Sequence, residues 1–153
     1  MRKTHMKRFT VRIGLLVLAT AGLLLVPVGE GHADPEKARA CLDSMVSGAI
    51  SSGMRVRGSD VAAAGNQAAI TYRLTLYKGM DYVLLGCADG EGVDLDMRLY
   101  DKSGQLVSND KSPDAQPFVD VSPPRTEEYA LQVLVYKSNA PNTDFAVAVA
   151  YKF

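Results

Sequence analysis

From Ala68 to the end of the chain, apolar and polar residues alternate with a period of two. Tyr72, Leu74 and Leu76 are separated by Arg73 and Thr75, and Val93, Leu95, Met97 and Leu99 by Asp94, Asp96 and Arg98. Tyr129, Leu131, Val133 and Val135 keep the same spacing, as do Phe145, Val147, Val149 and Tyr151. Successive side chains of a strand point to opposite faces, so each run predicts a strand with one buried side. Tyr82 to Ala88 is apolar throughout, as a central strand covered on both faces would be. Gln105 to Ser108 predicts one more short strand, and Phe118 to Val121 another, ended by Pro123-Pro124. Between them, Asn109 to Gln116 reads as polar loop. Lys78-Gly79 reads as a turn. So does Asp101-Lys102-Ser103-Gly104, with Asp first and Gly last as a type I turn prefers. Seven or eight short strands at regular spacing predict an antiparallel β-sandwich.

The chain before Ala68 has a different rhythm. Ala38, Cys41, Leu42, Met45, Val46, Ala49 and Ile50 recur at three- and four-residue intervals, one apolar stripe on a helix. Asp34 is a fitting N-cap, Pro35 a fitting first residue and Gly53 a fitting stop. Met54 to Arg57 alternates briefly and predicts a short strand. Gly58 to Gln67 is small and polar and reads as a connecting loop. Further upstream, a basic start leads into Ile13 to Val28, sixteen residues without a charge, and then Gly31-His32-Ala33. That order is a secretory signal cut between Ala33 and Asp34; the apolar run is short for a membrane span, which needs about 20 residues. The expected organisation is a signal peptide (1–33), a helix (34–53), a linker with a short strand (54–67) and a sandwich (68–153).

Composition sharpens this picture. The leader takes five of the 17 basic residues and one of the 17 acidic ones, leaving 12 against 16 and a net charge of −4. That argues against nucleic acid and anionic membrane surfaces as partners. Both histidines, His5 and His32, lie in the leader. The exported part therefore lacks the commonest general base and the commonest zinc ligand. The two cysteines, Cys41 and Cys87, form an even pair in an exported chain, and a disulfide is expected. Cys41 lies in the helical stripe, so Cys87 should lie in whatever that stripe packs on. Cys-His and Ser-His enzymes are excluded on these grounds.

The stretches "YRLTLYKGMDYVLLGCAD", "VDLDMRLYDKSGQLVSND", "EEYALQVLVY" and "FAVAVAYKF" resemble the bacterial pre-peptidase C-terminal domain across residues 68–153. The resemblance implies a jelly-roll β-sandwich. Family members usually trail secreted peptidases as accessory modules for export, folding or substrate binding, and some relatives bind calcium or matrix polymers. Two departures stand out. Glu127-Glu128 precedes Tyr129 where the family tends to have glycine, and the helix with its cysteine is an addition. No peptidase accompanies the domain in these 153 residues.

The acidic stretch around "DGEGVDLD" raises the question of a metal. A single copy of a glycine-aspartate unit cannot build the stacked calcium repeats. Val93 stands where an EF-hand needs an oxygen ligand. Asp94 and Asp96 should share one sheet face about 7 Å apart. With Asp89, Glu91 and Asp110 they form the candidate calcium ligands; the plainer reading is a solvated face with turn-forming acids. The same spacing falls within the range of glycosidase pairs, but the chain has no Trp to stack a sugar. Tyr77, Tyr100 and Tyr136, with Arg98 beside Tyr100, should face away from the core. They are either a free interface or the floor beneath the helix, and the second is the plainer reading. The function expected is an exported, non-enzymatic module, periplasmic or secreted, that binds a protein or an extracellular polymer and does not insert in a membrane. The alternatives are a calcium-stabilised envelope protein and an accessory domain for a secreted peptidase.

Overall fold

The computed structural model describes residues 34–153; the expected signal peptide, 1–33, lies outside the described residues. The elements are α1 (Pro35–Ser51), β1 (Arg55–Gly65), β2 (Ala69–Leu76), β3 (Asp81–Ala88), β4 (Asp94–Tyr100), β5 (Leu106–Asp110), β6 (Phe118–Val121), β7 (Glu127–Lys137) and β8 (Asn142–Lys152). β1 pairs with β8, β2 with β7, β3 with β6 and β4 with β5, all antiparallel. The domain is therefore one long hairpin of nested pairs. Its tip is the expected turn at Asp101 to Gly104. There Gly104 N–H donates to the Asp101 carbonyl (2.9 Å), and the Asp101 carboxylate accepts from the N–H groups of Ser103 and Gln105. Gly104 closes the turn at φ 82°, where a side chain would be strained.

Two further pairings, β3 with β8 and β4 with β7, roll this hairpin into two four-stranded sheets. Their orders are β1-β8-β3-β6 and β2-β7-β4-β5, the nested order of a jelly roll. Between the sheets lie Leu84 of the apolar run and Leu95, Leu99, Tyr129, Val133 and Phe145, the last five buried as the alternation predicts. Tyr72 and Leu74, expected in the core, are only half-buried. They sit on the edge strand β2, where the two sheets stand apart.

The stretch expected as a loop, Gly58 to Gln67, is instead strand as far as Gly65. Its Ala- and Gly-rich sequence has low strand propensity. Pairing with the continuous strand β8 overrides that preference. β5 likewise extends to Asp110, two residues into the expected polar loop.

Helix α1 begins where the cap signals say. The Asp34 side chain accepts from Glu36 N–H and Lys37 N–H. Ala38 and Leu42 are buried against Leu85, Cys87, Ala146 and Ala148 on the outer face of the β1-β8-β3-β6 sheet. Cys41 and Cys87 form the expected disulfide, their Cα atoms 6.0 Å apart. This overturns the expectation that α1 covers the tyrosine face. Tyr100 and Tyr136 lie on or beside the other sheet. Small residues in β8 let the helix approach its own sheet closely, whereas β4 and β7 carry long polar side chains outward. Among the described residues no helix is long and apolar enough to cross a membrane.

Candidate functional site

The five candidate calcium ligands fall in separate places. Asp89 and Glu91 line a hollow of about 270 Å³ between the β3–β4 and β7–β8 loops, with Ser138, Asn139 and Asn142 opposite. Asp89 accepts the Asp34 N–H at 3.0 Å. Asp94 and Asp96 share the outer face of β4, as expected, but Asp96 is only 3 % exposed and is held by Arg98 at 3.1 Å. The solvated face expected at that position is thus a part-buried ion pair. Burial first, then the charges of Asp96 and Asp114, push the Asp94 carboxyl above its ordinary value, against the pull of Lys137. Asp110 ends β5 and caps the turn that follows. Burial raises its pKa, but bonds from Ser112 N–H and Phe118 N–H win and hold it below the ordinary value. Among the described residues no three metal-ligating side chains converge.

The four candidate interface residues also separate. Tyr100 lies opposite Ala130 on β7, and Tyr136 is six residues further along that strand. At about 3.3 Å per residue the two are roughly 20 Å apart. Arg98 stands between them, opposite Gln132, and its charge is taken up by Asp96. Tyr136 is 50 % exposed with no aromatic neighbour among the described residues.

Tyr77 is different. It leaves the end of β2 and is 44 % exposed. The Arg57 guanidinium lies over its ring, 5.9 Å from the centroid. Its N–H donates to the Tyr82 hydroxyl at 3.1 Å, and that hydroxyl donates to the Met80 sulfur. Tyr82 lies across from Tyr151 on β8, ring centroids 6.2 Å apart, and Tyr151 meets Phe153 edge-on at 5.9 Å. Phe153 is 80 % exposed. Arg57, Tyr77, Met80, Tyr82, Tyr151 and Phe153 together line a hollow of about 260 Å³ at one end of the sandwich.

Arg57 also borders a second hollow of about 250 Å³, in the open seam between β1 and β2. Its floor is apolar, with Leu74, Leu131, Val147 and Val149, and its rim carries Asp60, Tyr72 and Arg73. Two side-chain bridges cross the seam. Arg57 donates to the Thr75 carbonyl at 2.6 Å, and the Tyr72 hydroxyl donates to Asp60 at 3.1 Å. Burial, then the Asp60 hydrogen bond, raises the Tyr72 pKa. Arg57 therefore joins an aromatic hollow to an apolar cleft. Alternation alone places Tyr151 and Phe153 on one side of β8. Only the cross-strand register shows that Tyr82 lies across from Tyr151, and only the tertiary fold brings in Tyr77 and Arg57.

No protein-family model matches this chain. No curated protein matches its sequence. Among solved structures the chain is similar to PliG of Aeromonas hydrophila, a periplasmic lysozyme inhibitor of g-type lysozyme. The likeness covers 62 % of this chain and 85 % of that one, at 15 % identity and a TM-score of 0.46. At that level it carries no argument about function.

Proposed function

We propose that this chain is an exported, non-enzymatic β-sandwich module that binds a protein through the Arg57–Tyr77–Phe153 end of the sandwich. The carrying observation is the clustering there of one arginine and several aromatic rings around a hollow, with Tyr77 and Phe153 well exposed. Aromatic residues and Arg are the types that anchor protein interfaces, in pockets that become desolvated on binding. An exposed apolar patch is costly to leave uncovered and marks an interaction site on a soluble domain. The cleft next to it, sharing Arg57, supplies room for a side chain of the partner. Export is supported by the disulfide, which persists in oxidising compartments. The reading suits the accessory role that the resemblance to pre-peptidase C-terminal domains implies.

Site-specific photo-crosslinking tests this. A photoreactive phenylalanine analogue replaces Phe153 in one protein and Tyr136 in another, each expressed in the cells that make the chain. The expected result is one discrete adduct from position 153, lost when Arg57→Ala or Tyr77→Ala is added, and none from position 136. Equal adducts from both positions, or an adduct indifferent to Arg57 and Tyr77, would remove the assignment of the surface.

A further inference from the structure

Asp34 does more than cap α1. Its carboxylate turns forward along the helix and accepts Glu36 N–H at 3.1 Å and Lys37 N–H at 3.4 Å. Its own nitrogen points elsewhere and donates to Asp89 Oδ2 at 3.0 Å. Asp89 N–H in turn donates to the Asp144 carbonyl at 3.0 Å. Asp144 feels both neighbours. Burial first, then the charges of Asp89 and Asp34, raise its carboxyl above the ordinary value. The Asp89 carboxylate thus meets the Asp34 nitrogen directly, and Asp144 adds negative charge nearby. Among the described residues the cation paired with any of them is Lys37, 3.6 Å from Asp34 and largely exposed.

An uncharged amide leaves the negative charge of Asp89 and its neighbour Asp144 unbalanced. An ammonium on the same nitrogen keeps that hydrogen bond and adds the attraction of a full positive charge for the Asp89 carboxylate. The small residues Gly31 and Ala33 mark the bond before this nitrogen as a signal-peptidase site. Hydrolysis there adds water across the peptide bond. The hydroxyl goes to the Ala33 carbonyl carbon and the hydrogen to the Asp34 nitrogen, which takes up a further proton at neutral pH.

We propose that the amino terminus made by this cut is a structural cation: the α-ammonium of Asp34 pairs with Asp89, beside Asp144, and fastens the start of α1 to the β3–β4 loop. The helix dipole opposes a positive charge at this end. The full charge of the Asp89 carboxylate, 3.0 Å from the nitrogen, offsets that opposition. The pairing also complements the disulfide. Cys41 follows Asp34 by seven residues, about 10 Å along a helix, and Cys87 precedes Asp89 by two. The helix would then be attached to β3 and its following loop at two points, which fixes its direction as well as its place. The inference rests on the export cut and is independent of the proposed binding surface.

The test begins with the intact mass of the exported protein, which should correspond to a chain starting at Asp34. Thermal unfolding is then compared, from pH 6 to 10, for that protein, its N-terminally acetylated form and a form with one added Gly before Asp34. Carboxylates hold the proton on the amine, so the folded pKa lies above the unfolded one, itself about 7.7–8.0. The stabilisation is therefore complete below the unfolded value and lost as pH rises through the folded one. Acetylation should lower the melting temperature by several degrees at pH 6 to 7, the gap should close toward pH 10, and Asp89→Asn should abolish it. Coincident melting of free and acetylated forms across the range would overturn the proposal, as would a mature chain starting elsewhere. The wild-type comparison decides the matter even if Asp89→Asn fails to fold.

Discussion

The two sheets of this sandwich treat their outer faces in opposite ways. The β1-β8-β3-β6 sheet presents Leu85, Cys87, Ala146 and Ala148, and α1 lies over them, bonded through Cys41. The β2-β7-β4-β5 sheet presents Arg73, Glu128, Gln132, Arg98 and Tyr100, and among the described residues no helix covers it. On the first face stability comes from burial and a covalent link. On the second it comes from cross-strand charge pairs such as Arg73 with Glu128 at 2.6 Å, both largely exposed. Exposed pairs of that kind contribute about 0–1 kcal/mol. The domain's stability therefore rests unevenly on its helix side, and the aromatic hollow borders the open seam between the sheets through Arg57.

Breaking the helix side should have the largest effect. Replacing both Cys41 and Cys87 with Ala opens a loop of 46 residues. The chain-entropy model puts the loss at about 4 kcal/mol. Urea denaturation of the double variant should show a midpoint far below that of the oxidised protein. A midpoint unchanged by the substitution would mean that α1 is held by packing alone.

A paired comparison of leucines sharpens the contrast between faces. Leu42 is buried between α1 and its sheet, while Leu134 lies half-buried on the open face. Leu42→Ala should cost about 2–4 kcal/mol, and Leu134→Ala less than about 1 kcal/mol. Equal losses in chemical denaturation would show that the second face is covered in solution, for instance by a partner copy.

The smallest effect expected is on the open face and depends on pH. Asp94 has a carboxyl raised by burial and by Asp96. A raised carboxyl binds its proton more tightly in the folded chain, so its contribution is full below the unfolded value of about 3.9 and is lost as pH rises through the folded one. Asp94→Asn should therefore raise the melting temperature slightly at pH 7 and leave it unchanged near pH 3. A gain that is constant across pH would trace to something other than the charge.

Much of this fold could be read along the chain. The alternation in β4, β7 and β8 marked which residues enter the core, because a strand's parity is a local property. The unbroken apolar run of β3 announced a strand covered on both sides, and α1 is that second cover. Only the start of β1 was marked, by the alternation at Met54 to Arg57; its continuation from Gly58 to Gly65 was hidden because Ala, Gly and Ser carry little strand signal. The candidate sites were less legible. Asp94 and Asp96 do share a face, yet alternation could not say that Arg98 and the loop at Asp114 enclose them. Tyr77 belonged to a cluster that includes Arg57 and Phe153, 20 residues before it and 76 after it in the sequence.

By itself the sequence determined the helix and its cap, the disulfide between its only two cysteines, the turn at the tip of the roll, and the inward or outward sense of most strand positions. Each follows from neighbours a few residues apart or from a count. Which sheet the helix covers, which strands become edges, and which aromatic rings meet were decided only by the nested pairing of distant strands. Parity along a strand assigns a side chain to a face, and pairing across the sheet then decides what that face meets.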